Sequence, residues 1–239
     1  MYNLIMVTYH RSNDTIKSIM SILQHTTLPF KLSIIDNSAG GLEVVFERFK
    51  QVKNITIYRN PSNFGKGRAF MTWFNTIIAE DNNEFFIAID ADIIVGEKWL
   101  ESLIESRDKI TDKFAMLAPI IMNNRSQTFE YQMQTKLIMH KQQTMQHYKD
   151  ELYSNTAIGG PLLLIDKQFF ISIGGYLSEF IYGGDDGHIC NQAKQLGYFT
   201  GITTNVSVLH SKSDEDSGYQ AWKREHLNKD IHHKGYWDQ

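Results

Sequence analysis

The sequence is short of cysteine, with one residue, Cys190, in 239. A lone thiol excludes an internal disulfide framework and a cysteine-rich zinc site. Long apolar runs are also missing. Nothing approaches the ~18 consecutive residues that span a bilayer. Neither sign of charge dominates. Lys and Arg number 24 against 27 Asp and Glu, a formal net charge of -3, so no basic field points to nucleic acid as a partner. Met1 through Val7 carry neither a basic segment nor a small-residue cleavage site, which predicts a cytoplasmic chain in a reducing compartment. Internal repeats and low-complexity segments are absent. What remains is an ordinary globular composition, 42% hydrophobic and 21% charged. It is long enough to bury a core as one domain or two fused halves.

Short apolar runs alternate with helical spacing in the first half. Leu4–Val7, Leu32–Ile35, Ile55–Tyr58 and Phe85–Ile89 predict strands, and 12–24, 42–49 and 69–79 predict helices. Strands that are apolar throughout and separated by helices imply an α/β protein with a mostly parallel central sheet covered on both faces. Further on, 98–109 predicts a helix and 115–118 a strand ended by Pro119. Segment 160–165 predicts a strand, 167–173 a short helix, 189–196 a helix, and 206–209 a last strand. Residues 126–158 contain neither Gly nor Pro, which predicts one or two helices. As an amphipathic helix, 129–153 would suit peripheral contact with a membrane surface, although Lys136, Lys141 and Lys149 are few cations for that task.

Carboxylates follow the apolar strands. Asp36 comes directly after Ile34-Ile35, and Asp90 and Asp92 after Phe85–Ile89. Ligands of open α/β sheets bind outside the carboxyl ends of the strands, so these acids stand where chemistry is expected. In an extended Asp90-Ala91-Asp92 both carboxylates would lie on one side, roughly 7 Å apart. One could hold a divalent cation, with oxygen ligation suiting Mg or Mn, and the other a ribose or water. A charged turn after a strand reads the same way. Asp185-Asp186, between glycines, would repel each other and raise one pKa toward that of a general base; Gly-Asp turns on ordinary surfaces look alike. His210, ending the last predicted strand, suits a structural role as readily as a ligand role. Asn63-Phe64-Gly65-Lys66-Gly67-Arg68 places glycines and cations before a helix, which suits a diphosphate.

In order along the chain, these segments resemble the family-2 type glycosyltransferases of the GT-A fold. Val7-Thr8-Tyr9-His10-Arg11 is similar to the family's V-T-Y-N-R turn, with His10 in place of Asn. Ile34-Ile35-Asp36 resembles its second strand, and Asn60 to Gly67 its N-x-x-N-x-G segment. Asp90-Ala91-Asp92 matches D-x-D, Gly174-Gly175-Tyr176 resembles G-G-F/Y, and Asp185-Asp186 stands where the family has E-D. The resemblance runs from about residue 4 to residue 210. It implies a Rossmann-like nucleotide-sugar half over about 1–110, fused to an acceptor and catalytic-base half over about 111–239.

The resemblance implies roles for residues as well. Thr8, Tyr9, Arg11, Asp36, Asn63, Gly65, Lys66, Asp90 and Ala91 would hold the nucleotide, with Thr8 and Asp36 at the base and Asp90 at the ribose. Asp92 and His210 would bind Mn2+ or Mg2+. Asp186 would be the catalytic base, with Asp185 placing the acceptor or exchanging roles with it. The implied activity is inverting, metal-dependent transfer of one sugar from a nucleoside-diphosphate sugar, UDP foremost, to a hydroxyl of a saccharide or cell-surface glycan precursor. Polysaccharide biosynthesis is the setting it suggests. Two other readings stay open: a non-catalytic sugar-nucleotide or glycan-binding protein, and a sugar nucleotidyltransferase. The second would want a glycine-rich triphosphate loop after the first strand, and 8–12 has no glycine. Acceptor contacts are expected from 126–158 and from the tail around Trp222, Tyr236 and Trp237.

Overall fold

The computed structural model describes residues 1–78, 82–123, 146–154, 158–176 and 185–211. Strand β1 (Tyr2–Thr8) leads through helix α1 (Ser12–His25) to β2 (Phe30–Asp36). Helix α2 (Glu43–Phe49) then leads to β3 (Ile55–Arg59), and α3 (Lys66–Ile78) to β4 (Phe85–Asp90). These four strands pair in parallel in the order β3-β2-β1-β4. The chain then makes the two-residue strand β5 (Ile93–Ile94), helix α4 (Trp99–Asp108) and the long strand β6 (Phe114–Asn123). After β7 (Gln146–Lys149) and β8 (Leu152–Ser154) come β9 (Leu162–Asp166), α5 (Lys167–Ser172), α6 (Asp185–Gln195) and β10 (Phe199–His210). The single sheet continues β4-β9-β6-β10-β8-β7, with β5 antiparallel to the end of β10. Strand β9 runs against both its neighbours, so the second half mixes directions.

Side chains alternate across each central strand, and both faces are covered. Leu4 and Met6 of β1, Leu32 and Ile34 of β2, and Ile87 and Ile89 of β4 pack with Ile19, Ile22, Trp99 and Leu103 of α1 and α4. Ile5, Ile35, Phe86 and Ala88 point the other way, against Phe70 and Phe74 of α3, Phe169 and Phe170 of α5, and Ile189 of α6. That two-sided burial is why the sequence shows continuous apolar runs rather than alternation. The second layer is held by aromatic rings. Phe70 meets Phe74, Phe86, Phe170 and Tyr176 at centroid distances of 5.6, 5.9, 5.8 and 4.9 Å. Full burial of each ring contributes roughly 1.5–3 kcal/mol. Asp166 caps α5 by accepting the Phe169 N–H at 2.6 Å.

Five expectations need correction. The described end of 126–158 is a β-hairpin, β7–β8, paired onto β10 rather than helix; residues 124–145 and the tail from 212 lie outside the described residues. Strand β6 runs past Pro119, because β10 bulges there. Thr203 pairs with Pro119 and the ladder resumes at Ser207–Ile120, so the missing N–H falls at an irregularity. Strand β10 begins at Phe199, and α6 at Asp185 rather than 189, which moves the acid pair from a turn into the first turn of a helix. Finally, Asp90 ends β4 while residues 91 and 92 turn toward β5, so the two aspartates do not share an extended face.

Candidate active site

In the parallel half the connection from β1 runs through α1 to β2 on one side, and β4 lies on the other. Strand order reverses at β1, and the crevice outside its carboxyl end is where an open α/β sheet takes a ligand. The register brings the acids there together: Thr8 pairs with Asp36, and Val7 with Asp90. Asp36 is fully buried. Its Oδ1 accepts the Ser38 N–H at 2.8 Å, while Oδ2 has no partner among the described residues. A buried acceptor left unmatched is a place for a ligand's donor.

Several expected donor-site residues instead build the walls. The Thr8 hydroxyl is buried against Thr15 Oγ1 at 2.8 Å, and the Ala91 methyl packs into the core. Asn63 Oδ1 accepts from Asn37 Nδ2 at 2.7 Å and from the Gly65 N–H at 2.9 Å. Asn37, which the sequence did not single out, is the centre of that loop. Its Oδ1 also accepts from Asn60 Nδ2 at 3.0 Å and from the Phe64 N–H at 3.1 Å. Gly65, at φ +80, turns the chain into α3, whose first residue is Lys66. Tyr9 stands edge-on to His10 at 4.4 Å. His10 itself adopts φ +54 and donates its N–H to Ser38 Oγ at 2.8 Å. This left-handed conformation is one that Asn and His adopt more readily than most residues.

Two charged clusters flank Asp90. In the first, Asp92 Oδ2 receives Arg11 Nη1 at 2.5 Å and lies 3.0 Å from His210 Nε2. Strand β5 explains the meeting, because His210 pairs with Ile93 and the Ser211 N–H donates to the Asp92 carbonyl at 2.8 Å. Arg11 also holds Asp14, with Nε at 3.0 Å and Nη2 at 2.6 Å from Oδ2. Burial opposes ionisation of Asp92, but the hydrogen bond and charge of His210 and the charge and hydrogen bond of Arg11 outweigh it, holding its pKa at about 2. Asp92 and His210 offer a hard oxygen and an imidazole nitrogen at one point, a donor pair that fits Mn2+ and Mg2+ less exclusively. Among the described residues no group of three or more His, Cys, Asp or Glu is placed to hold a metal.

In the second cluster Lys66 Nζ lies 2.8 Å from Asp90 Oδ1. Burial pulls the lysine pKa down, but Asp90, then Asp186, Tyr176 and Asp185 more than offset it and hold it well above its usual range. Asp186 is seated on the backbone of Gly160, whose N–H donates to its Oδ2 at 2.9 Å. The next residue, Pro161, accepts the Asp90 N–H at 2.7 Å. Asp185 is 5% exposed, and its Oδ1 has no partner among the described residues. Burial raises its pKa, Lys66 lowers it, and Asp186 and Asp90 raise it again, to about 7. Burial also raises the Tyr176 pKa, with its hydroxyl unpartnered among the described residues. Sequence reasoning passed over Asp14, Asn37 and Tyr176 as site residues. For Asp14 a signal was present, since Arg11 and Asp14 are three residues apart at the start of a helix.

A parallel β3-β2-β1-β4 half carrying strand-end carboxylates, joined to a mixed half that returns β10 to the Asp92 turn, is the GT-A arrangement. The chain matches the family described as Glycosyl transferase family 2 over residues 3–171, and it belongs to that family. No curated protein matches it. Among solved structures, GalNAc-T7 with UDP, GalNAc and Mn2+ is similar at TM-score 0.67 and 19% identity, over 88% of this chain and 43% of that one. The mannosyltransferase PcManGT from Pyrobaculum calidifontis, in complex with GDP-Man and Mn2+, gives 0.63 and 15% over 95% and 61%. S. aureus TarS 1-349 with UDP-GlcNAc gives 0.64 and 13% over 90% and 59%. The chain thus spans between 43% and 61% of the length of these proteins. Among the described residues no helix is long and apolar enough to cross a membrane.

Proposed function

We propose that the chain transfers one sugar, with inversion, from a nucleoside-diphosphate sugar to a hydroxyl of a saccharide or glycan precursor. The observation that carries this is the Gly160-Pro161 backbone, which joins Asp90 in the donor crevice to the carboxylate of Asp186. Residues 1–110 act as the donor half and 111–239 as the acceptor half. Asp36 Oδ2 takes a donor N–H of the base, with uracil the first candidate, and Asp90 faces the ribose. Asp92 and His210 would hold Mn2+ or Mg2+, and the ion would supply positive charge for a departing diphosphate. Lys66 adds fixed positive charge beside Asp90. The ligands of the similar structures, UDP, GDP-Man, UDP-GlcNAc and Mn2+, support this assignment of ligand classes.

Asp186 takes the proton of the acceptor hydroxyl. That oxygen forms the new bond to the anomeric carbon as the bond from this carbon to the diphosphate oxygen breaks, and the electron pair leaves with the nucleoside diphosphate. One displacement inverts the anomeric centre. Asp185, with a pKa of about 7, stays largely protonated below neutrality and can donate a hydrogen bond to the acceptor.

The test has two stages. A thermal-shift panel of nucleoside diphosphates, each with and without Mn2+, should pick out one base, because a ligand bound only by the native state raises its stability by about 2.7 kcal/mol at one hundred times Kd. Transfer from that donor to a panel of saccharides then compares wild type with Asp186→Asn. The variant should keep the thermal shift and lose transfer. Unimpaired transfer by Asp186→Asn would remove Asp186 as the base, and no shift with any nucleotide would remove the donor site.

A further inference from the structure

Arg11 lies beside the donor crevice, yet its guanidinium is already engaged by two buried carboxylates. Asp14 and Asp92 are 3% and 5% exposed. Arg11 turns Nε and Nη2 to Asp14 and Nη1 to Asp92 Oδ2, and its Nη2 also faces the Ser211 carbonyl at 3.4 Å. Its backbone is fixed as well, because the Arg11 carbonyl accepts the Thr15 N–H at 2.9 Å in the first turn of α1. His210 Nε2 approaches the same Asp92 oxygen at 3.0 Å. The oxygen offered to a metal therefore already carries a cation.

We propose that Arg11 is a resident counter-cation that makes metal binding at Asp92 and His210 conditional on the donor's diphosphate. The inference rests on the donor-site reading above. Without nucleotide, the Arg11 guanidinium and the His210 ring both stand against Asp92 Oδ2, so a divalent ion must contend with a fixed positive group bonded to its own ligand atom. At a site this buried, such repulsion is poorly screened. A nucleoside diphosphate changes this in two ways. It adds negative charge next to the cluster, and its oxygens can accept the Nη1 hydrogen bonds that Asp92 gives up. Metal and nucleotide then bind cooperatively, each raising the other's affinity by the same factor, as linkage requires. A free enzyme would leave the metal unbound until a donor arrives.

The test is a Mn2+ titration of the full chain, read from the electron paramagnetic resonance of the free ion, alone and with saturating UDP or GDP. Wild type should bind Mn2+ at least about tenfold more tightly with the nucleotide, within the usual span of coupling between two sites. Arg11→Met should tighten binding of Mn2+ alone by about tenfold and shrink the nucleotide's effect. Because that change leaves Asp14 without its cation, Arg11→Met/Asp14→Asn is measured beside it. The double variant keeps the net charge, removes the group bonded to the metal-ligating oxygen, and should behave as the single one does. Arg11→Lys, which keeps the charge, should stay close to wild type. If neither variant binds Mn2+ alone more tightly than wild type, while Asp92→Asn abolishes binding in the presence of nucleotide, the role of Arg11 is wrong and the donor site stands. If Asp92→Asn leaves Mn2+ binding unchanged in every state, the donor-site reading falls and this inference falls with it.

Discussion

Gly160→Ala tests the link between the backbone and the proposed base most directly. A Cβ built on Gly160 would lie 2.0 Å from Asp186 Oδ1, 2.3 Å from Cγ and 2.5 Å from Oδ2. Ordinary contact begins near 3.4 Å, so the carboxylate must retreat by more than about 1 Å and gives up its bond to the Gly160 N–H. The backbone cannot yield instead, because Pro161 holds Asp90 and Leu162 is laddered to Ile89. A misplacement of that size near the reacting atoms lowers rate by about 10²-fold. Crowding a buried position lowers stability by about 1–3 kcal/mol, so activity is compared at a temperature where both proteins are folded. The expected result is a kcat about 10²-fold down, a donor KM within about twofold of wild type, and an intact nucleotide thermal shift. The decisive arm is the double variant Gly160→Ala/Asp186→Asn. If Gly160 acts through Asp186, the alanine should cost nothing further once the carboxylate is gone. An equal loss in both backgrounds, or wild-type kcat in Gly160→Ala, would refute the argument.

The two remaining predictions concern charge. Asp185 has a folded pKa of about 7 against an ordinary 3.8, so the native state binds more protons than the unfolded one between those values. Its contribution is complete below about pH 4 and is lost as pH rises through about 7. Asp185→Asn should therefore gain stability over wild type by up to about 4 kcal/mol at pH 8, with the gain shrinking toward pH 4; denaturant melts at the two pH values measure it, and a pH-independent difference would contradict it. Lys66→Met removes a cation that lowers the pKa of Asp185 and faces Asp186. The acid limb of the kcat/KM profile should move to higher pH, and an unmoved limb would show that the lysine does not tune the acids.

How far the sequence could be read followed from which elements carry their own pattern. β1, β2 and β4 announce themselves because helices cover both faces, so Leu4, Ile5 and Met6 are all buried. Parallel strands then place Asp36 and Asp90 at one edge without further information. β5 is two residues long and exists only through its pairing with Leu209 and His210, so no local pattern could reveal it. The β7–β8 hairpin turns at Asp150, at φ +48, without a glycine to mark it. The site divides the same way. Asp92 was legible as an acid after a strand, but its partners are residues 81 and 118 positions away, and only the return of β10 against β5 unites them.

The acid pair shows why topology mattered more than motif. In sequence, Asp185-Asp186 stands 95 or more residues from Asp90, and nothing local ties the two. In the fold β9 enters antiparallel between β4 and β6, which delivers Gly160-Pro161 to the carboxyl end of β4. There one short stretch of backbone accepts from Asp90 and donates to Asp186. The backbone of Asp90 and the carboxylate of Asp186, the acid proposed as base, are therefore tied to the same two residues of main chain. Under the proposed function, variation in residues 111–239 would then proceed around this tie. It is limited at residue 160, where any side chain would occupy the space that Asp186 fills.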